Sequence, residues 1–253
     1  MIPNAIHFIF GMKRNFGGRP FSLAHYIAVK SALVVNKPDK VYFYCAYEPR
    51  GKWWEKTKKY VEVIKLRPPR RIFGKRLKIY AHRADVLRLQ ILLEKGGIYL
   101  DMDTICVKSL GDLMENRVVL GIQGKPPQTE GLCNAVILSQ KDTEFLRIWL
   151  SSFRSMRSQG HDKYWDEQSV KVPFRLWKEH PELLTVLDYD AFFHPLYDEE
   201  GLADLFLRTK HFPNAYVHHL WELLSWNYLE ALSEEGIKTV DTTYNLLARP
   251  FLP

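Results

Sequence analysis

The 253-residue chain has only three cysteines and no long apolar run. Cys45, Cys106 and Cys133 are widely spaced and form no Cys-x-x-Cys pair, which argues against a disulfide framework or a zinc site and favours buried, reduced thiols. No stretch approaches the ~20 apolar residues that cross a bilayer, and no basic segment followed by an apolar one marks a signal peptide. Internal repeats and low-complexity tracts are also missing. These absences predict a globular protein of the cytoplasm.

The composition that remains is typical of one large, basic globular domain. Hydrophobic residues make up 46% of the chain and charged residues 26%, which is ordinary for a folded protein, and the net charge is +7. Strand and helix patterns alternate, beginning with the apolar run 5–11, a helical pattern over 20–35 and a short strand at 41–44. This alternation predicts an α/β fold in a single domain, 1–253, with a mainly parallel central sheet flanked by helices. In such sheets, ligands bind at the carboxyl ends of the strands.

The stretch 96–103, Gly-Gly-Ile-Tyr-Leu-Asp-Met-Asp, carries an apolar run directly into two carboxylates. In an extended chain Tyr99, Asp101 and Asp103 share one side, while the residues between them face a core. Two acids on one side stay ionised only if a cation or hydrogen-bond donors compensate them. A divalent ion held by carboxylates, water and phosphate oxygens is the usual solution. For an isolated Asp-x-Asp, a solvated strand end is the alternative.

A helix-forming stretch, 82–95, precedes the glycine pair, which is the expected helix stop. Asp85 and Arg88 are three residues apart, so they lie on one helix face within reach of each other. Alone they could be a surface ion pair of little energetic value. The order helix, Gly-Gly, apolar strand and Asp-x-Asp is more specific than either feature by itself.

Ala84-Asp85-x-x-Arg88 followed by Gly96-Gly97-Ile98-Tyr99-Leu100-Asp101-x-Asp103 resembles the sugar-nucleotide signature of the Asp-x-Asp glycosyltransferases of family 32. That group includes yeast initiating mannosyltransferases and bacterial capsular and lipopolysaccharide transferases, with the clostridial glucosylating toxins as distant relatives. The resemblance implies a GT-A (Rossmann-like) fold, with a nucleotide-sugar-binding half (1–110) and an acceptor-side half (111–253). It also implies a UDP- or GDP-linked donor, a Mn²⁺ or Mg²⁺ ion, and transfer with retention.

The same resemblance implies roles for individual residues. Asp101, Asp103 and His219 would hold the ion, with His218 as the second choice of histidine. Phe10 would stack on the base of the donor, at a position where the family commonly has Trp. The full set of substrate-binding candidates is His7, Phe10, Asp85, Arg88, Tyr99, Asn134, Ser225 and Trp226.

A second acidic stretch, 164–169, contains Asp166, Glu167 and Gln168. In related transferases an acid or amide in this region lies near the sugar and the acceptor, so these three join Asp101 and Asp103 as catalytic candidates. A helix N-terminus capped by Asp166 is the competing interpretation.

The most basic stretch of the chain is 67–78. It could be a flap over the site, a patch for anionic lipid, or part of a diphosphate or acidic acceptor site. A solvated basic loop is as good an interpretation, and no nucleic acid is expected as a partner.

Together these features predict a metal-dependent glycosyltransferase that moves a hexose or N-acetylhexosamine from a nucleotide sugar to a glycan or glycolipid acceptor. Contact with an anionic membrane surface at its inner face would suit a lipid-linked acceptor. A haloacid-dehalogenase-type phosphatase is the first alternative, with Asp101 as nucleophile and Asp103 as acid/base, although such motifs normally begin the chain. A basic polyanion-binding module is the second.

Overall fold

The computed structural model describes residues 1–253 and confirms the α/β architecture. The strands are β1 (Ala5–Ile9), β2 (Lys40–Cys45), β3 (Glu62–Lys65), β4 (Arg71–Ile72), β5 (Lys75–Arg76), β6 (Gly97–Leu100), β7 (Thr104–Cys106), β8 (Val118–Gln123), β9 (Gly131–Ser139), β10 (Thr185–Leu187) and β11 (Val217–His219). The helices are α1 (Leu23–Asn36), α2 (Lys52–Lys58), α3 (Tyr80–Lys95), α4 (Glu144–Ser152), α5 (Val172–Glu179), α6 (Glu199–Phe206), α7 (Glu222–Glu230), α8 (Glu234–Thr239) and α9 (Thr243–Ala248).

Seven strands form the central sheet, in the order β10-β8-β9-β6-β1-β2-β3. Six of them run in the same direction, and β9 runs antiparallel between β6 and β8. The predicted mainly parallel sheet is therefore confirmed. Two small antiparallel pairs lie outside it, β7 with β11 and β4 with β5.

Strand β6 is buried on both faces of the sheet. Ile98 and Leu100 belong to a core that also contains residues of α1, α6 and α9, whereas Tyr99 belongs to a second core with residues of α3, α4 and α5. Because successive side chains point to opposite faces, the strand must be apolar throughout to satisfy both layers. Asp101, which directly follows Leu100, is therefore held in place by a strand that is packed on both faces.

The glycine pair between α3 and β6 allows the chain to reverse without a linker. Gly96 has φ +66° and Gly97 has φ +107°, conformations that other residues rarely adopt. A Cβ atom on Gly97 would lie 2.5 Å from the carbonyl oxygen of Ala5 in the neighbouring strand. The tight reversal makes α3 run back along β6, and Arg88 lies roughly 10 Å from the end of the helix. That length matches the strand, so Arg88 reaches the carboxyl end where Asp101 lies.

No helix in the structure is both long enough and apolar enough to cross a bilayer. Cys45, Cys106 and Cys133 are all buried and unpaired, as predicted.

Candidate active site

Asp101 and Asp103 lie where the chain leaves β6 and turns into β7. The N–H of Asp101 donates to the carbonyl of Ala135 in β9 (2.8 Å), and the hydroxyl of Thr104 donates to the carbonyl of Asp101 (2.8 Å). These bonds fix the turn on both sides. Both carboxylates line the same cavity, which has a volume of about 540 Å³.

The pairing of β11 with β7 brings an imidazole to the same turn. His219 is paired with Thr104 in the antiparallel register, and its Nε2 lies 3.2 Å from Oδ2 of Asp103. His218 points to the other face, where its Nδ1 donates to the carbonyl of His194 (2.9 Å). Alternation along the strand allows only one of the two histidines to face the carboxylates, and the register selects His219.

Asp101, Asp103 and His219 have the chemistry and spacing of a metal site. One ligand atom from each lies within 4.8 Å of the other two. Two metal–oxygen bonds of about 2.1 Å span about 4.2 Å across an ion, so small side-chain shifts bring all three into contact with one ion. Nδ1 of His219 is buried without a hydrogen-bond partner. Two carboxylates and an imidazole are a ligand set that suits Mn²⁺ or Mg²⁺, whereas thiolates suit softer metals.

The charges of the cluster depend on one another. Burial alone would raise the pKa of Asp103, but the charge of His219 and hydrogen bonds from His219 and the N–H of Glu222 hold that pKa below its usual range. Burial lowers the pKa of His219, yet Asp103 and then Asp101 raise it above the ordinary value. For Asp101, burial raises the pKa despite the opposing charge of Arg88. His219 and Asp103 therefore each favour the charged form of the other.

The predicted pair on α3 belongs to a buried network that holds Asp101. Nη1 of Arg88 donates to the backbone carbonyl of Asn134 (2.7 Å) and to its side-chain oxygen (3.0 Å), and lies 3.2 Å from Asp101. The amide of Asn134 donates to Asp85 (2.8 Å), and the hydroxyl of Tyr99 donates to Asp101. All five residues line the cavity. The interpretation of Asp85 and Arg88 as a weak surface pair is wrong, because both are almost fully buried.

Phe10 lies at the end of β1 and also lines the cavity. Its ring is stacked on Phe16, with ring centroids 5.5 Å apart and planes 13° apart. Phe16 belongs to the loop between β1 and α1. One face of the Phe10 ring is therefore already stacked within the chain.

Three predicted substrate-binding residues do not line the cavity. His7 is fully buried; its Nε2 donates to the carbonyl of Gly96 (2.9 Å). Ser225 is buried inside α7 and donates to a backbone carbonyl, and Trp226 packs against the core. His7 does not belong to the cluster of Asp101, Asp103 and His219.

Of the three catalytic candidates in the second acidic stretch, only Asp166 lines the cavity. Its carboxylate pairs with Lys171 (2.8 Å). Asp166 is the N-cap residue of the helical turn Glu167–Lys171, as the competing interpretation predicts, but its side chain accepts no hydrogen bond from that turn. Glu167 pairs with Arg157 outside the cavity, and Gln168 is buried, where its side-chain oxygen accepts from Ser152 (2.9 Å).

Sequence reasoning missed several residues that complete the cavity. The N–H of Glu222 donates to Asp103 (2.7 Å), and its carboxylate accepts from His25 (2.7 Å) and lies 3.4 Å from Nε of Arg19. Arg19 also donates to the hydroxyl of Tyr80 (3.0 Å). Other residues of the cavity lining are His82, Gln123, Glu130, Trp165, Tyr197 and Trp221. They come from separate helices, strands and loops and carry no shared motif, so the sequence held no signal for them.

Comparison with known proteins adds a family match and two curated relatives. Residues 22–120 match the family described as glycosyltransferase sugar-binding region containing DXD motif. The chain is 34% identical over 264 aligned residues to glucan organizing enzyme 1 of Cryptococcus neoformans var. grubii, and the match covers 100% of this chain and 71% of that protein. A shorter stretch of 37 residues is 60% identical to an uncharacterized glycosyltransferase of Acanthamoeba polyphaga mimivirus, 15% of each chain.

Solved structures agree on the fold. Mouse xyloside xylosyltransferase 1 superposes with a TM-score of 0.54 at 15% identity, covering 87% of this chain and 98% of that one. The glycosyltransferase GlyE of Streptococcus pneumoniae gives a TM-score of 0.53 at 14% identity, covering 98% and 62%. At these identities the likeness concerns the fold, and it confirms the predicted GT-A architecture.

Proposed function

The chain belongs to the DXD-containing glycosyltransferases, and from this premise we propose that it transfers a hexose or N-acetylhexosamine from a UDP- or GDP-linked donor to a glycan or glycolipid acceptor. The reaction is metal-dependent and retains the anomeric configuration. The observation that supports this most directly is the meeting of Asp101, Asp103 and His219 in one cavity with the buried pair Asp85 and Arg88.

Asp101, Asp103 and His219 hold the divalent ion in this proposal. When bound, the ion supplies Lewis-acid stabilisation of the negative charge that develops on the leaving nucleoside diphosphate. Tyr99 and Arg88 keep Asp101 in place by direct hydrogen bonds. The first residue of α7 does the same for Asp103 through its backbone N–H. The ligands are therefore positioned before the ion arrives, which lowers the cost of ordering them.

Asp85, Arg88 and Asn134 bind the hydroxyls of the donor sugar. Their mutual hydrogen bonds fix the three side chains in one arrangement at the cavity wall. A carboxylate accepts a hydrogen bond from a sugar hydroxyl, and a guanidinium donates one. Together the three side chains can therefore hydrogen-bond to neighbouring hydroxyls of the same sugar. Phe10 offers its ring to the nucleoside base. No separate general base is assigned, because a departing phosphate oxygen takes the acceptor proton in a retaining transfer of this kind.

Arg19 binds the diphosphate, and two of the predicted substrate-binding residues, Ser225 and Trp226, do not contribute. Those two lie outside the cavity, whereas Arg19 lines it. Its guanidinium is held by Glu222, the residue whose N–H holds Asp103, and by Tyr80. Nε of Arg19 is buried without a good hydrogen-bond partner. A guanidinium at this position matches phosphate oxygens in charge and in geometry.

The basic hairpin formed by β4 and β5 contacts an anionic membrane surface. Arg70, Arg71, Lys75 and Arg76 lie on or beside it, and Phe73 at its turn is 41% exposed. Each basic residue near such a surface contributes about 1 kcal/mol. Changing the four basic residues to Ser should abolish binding to vesicles that contain phosphatidylserine. Unchanged vesicle binding by that variant would contradict this part of the proposal.

Nucleotide release from UDP- and GDP-sugars, measured with and without Mn²⁺, tests the central proposal. We expect Mn²⁺-dependent release of UDP or GDP from one donor, lost in Asp103→Asn and kept in Asp39→Asn, an exposed aspartate outside the cavity. The comparisons do not favour the phosphatase or the polyanion-binding module. Release of phosphate from simple phosphomonoesters, with no action on any nucleotide sugar, would refute the transferase.

A further inference from the structure

A group of aromatic residues leads away from the candidate metal cluster along the cavity. The ring of Trp221 lies 4.2 Å from that of His219, and the ring of Tyr197 lies 5.2 Å from Trp221, edge to face. Trp221 is fixed by a hydrogen bond from its indole N–H to the carbonyl of Pro195 (3.0 Å). Tyr197 is 37% exposed. The aromatic surface is therefore rigid next to the cluster and accessible further out.

A fixed carboxylate lies beside the exposed tyrosine. The hydroxyl of Tyr197 donates to one oxygen of Glu130 (2.8 Å), and the amide of Gln123 donates to the other (2.5 Å). Gln123 ends β8, and Glu130 directly precedes β9, so the hairpin of the central sheet positions both. Burial, followed by the hydrogen bond to Glu130, raises the pKa of Tyr197 to about 12, so its hydroxyl keeps the proton that it donates.

The charge on this side of the cavity is negative. Both hydrogen-bond partners of Glu130 are neutral. Asp166 lines the same cavity, and its charge is near enough to contribute to the raised pKa of Tyr197. Lys171 pairs with Asp166 but lies outside the cavity lining. An anionic group placed here would meet the carboxylate of Glu130, which has no cationic hydrogen-bond partner, in a partly desolvated site, and this disfavours it.

We propose that Tyr197, Trp221, Gln123, Glu130 and Asp166 form the acceptor subsite and that it takes a neutral sugar. The proposal rests on the glycosyltransferase function given above and specifies its acceptor. The negative π-face of an aromatic ring attracts the partly positive C–H groups on the apolar face of a sugar ring. The fixed carboxylate and amide then bind the hydroxyls at the sugar's edge. No side chain of this group hydrogen-bonds to Asp85, Arg88 or Asn134, so the subsite is separate from the donor-sugar contacts.

Saturation-transfer NMR tests the subsite by direct binding, with methyl glycosides of glucose, mannose and galactose and the matching uronic acids as probes. We expect at least one neutral glycoside to bind the full-length protein and the uronic acids not to bind. Tyr197→Ala should weaken that binding at least tenfold, Tyr197→Phe should weaken it less, and Glu130→Gln should weaken neutral binding while admitting a uronic acid. Tyr47→Ala, which removes an exposed ring outside the cavity, should bind as the unchanged protein does.

Two results would overturn the proposal: glycoside binding that is equally strong in Tyr197→Ala, or uronic acids that bind the unchanged protein as well as neutral glycosides do. The thermal shift produced by Mn²⁺ with UDP or GDP is recorded on the same samples. Retained glycoside binding without any nucleotide shift would count against the proposed donor chemistry alone. If Tyr197→Ala loses both the nucleotide shift and glycoside binding, the variant is unfolded. Glycoside binding by the two single variants Tyr197→Phe and Glu130→Gln then decides the question.

Discussion

Nε2 of His219 lies 3.2 Å from Oδ2 of Asp103, although the two residues are far apart in the chain. The pairing of β11 with β7 produces this contact. Since the pair is a ligand set in the proposal, His219→Gln should weaken Mn²⁺ binding at least tenfold, in line with losses seen when even supporting groups of metal sites are removed. Titration calorimetry with Mn²⁺ and UDP or GDP measures this. His218→Gln is the matched control; equal losses in both variants would contradict the assignment to His219.

Arg88 is expected to be essential for stability as well as for donor binding. Arg88→Met leaves the buried Asp85 and the partly buried Asp101 without their counter-charge, and breaking a buried pair typically costs about 3–5 kcal/mol. Urea unfolding measures the loss. Arg147→Met removes an exposed partner of Asp142 and should change the free energy of unfolding by less than about 1 kcal/mol. Similar costs for the two variants would show that the buried network does not depend on the guanidinium.

Gly97 should tolerate no side chain. In Gly97→Ala the new Cβ would lie 2.5 Å from the carbonyl oxygen of Ala5 and 2.7 Å from Nε2 of His7, so β1 and β6 would have to separate. Gly74 also has a positive φ, +79°, but no atom lies within 4 Å of its ideal Cβ. Gly74→Ala should therefore cost only the backbone strain, about 1–2 kcal/mol. Thermal unfolding should rank Gly97→Ala as clearly more destabilised, and equal melting temperatures would refute the steric argument.

His7 should make the folded state sensitive to mild acid. Burial lowers its pKa from 6.5 to about 4, against a smaller raising effect from the hydrogen bond to Gly96. Between these values the unfolded chain binds a proton that the folded chain does not, so stability is full above pH 6.5 and is lost as the pH falls. The expected loss from His7 is about 2 kcal/mol between pH 7 and pH 5.

Urea unfolding across that pH range compares the unchanged protein with His7→Gln, which should show a shallower slope. An identical slope in His7→Gln would mean that His7 is not the responsible group.

We expect Arg19 to contribute to the affinity for the phosphates of the donor and not to the affinity for its nucleoside. If its guanidinium binds the diphosphate, Arg19→Gln should lower the affinity for UDP or GDP about tenfold and leave the affinity for uridine or guanosine nearly unchanged. Calorimetry in the presence of Mn²⁺ supplies both values. Parallel losses for nucleoside and diphosphate would instead indicate that Arg19 only supports the local fold through Tyr80 and Glu222.

The sequence by itself determined the local order of helix, glycine pair, strand and carboxylates. A helix that reverses directly into a strand must bring its own polar residues to the end of that strand, so the proximity of Asp85 and Arg88 to Asp101 follows from lengths and spacing alone. The apolar pattern of β6 likewise fixed which side chains face the core. These relations span few residues and depend on backbone geometry that each local pattern encodes.

Tertiary structure alone decided which distant residues complete the site. The choice between His218 and His219 depends on the register of β11 against β7, because one residue of slip would exchange their faces. Arg19, Glu130 and Tyr197 reach the cavity from separate loops, and Ser225 is turned away from it by the helix that contains it. Long-range packing sets such positions, and no short pattern in the chain records where two distant segments meet.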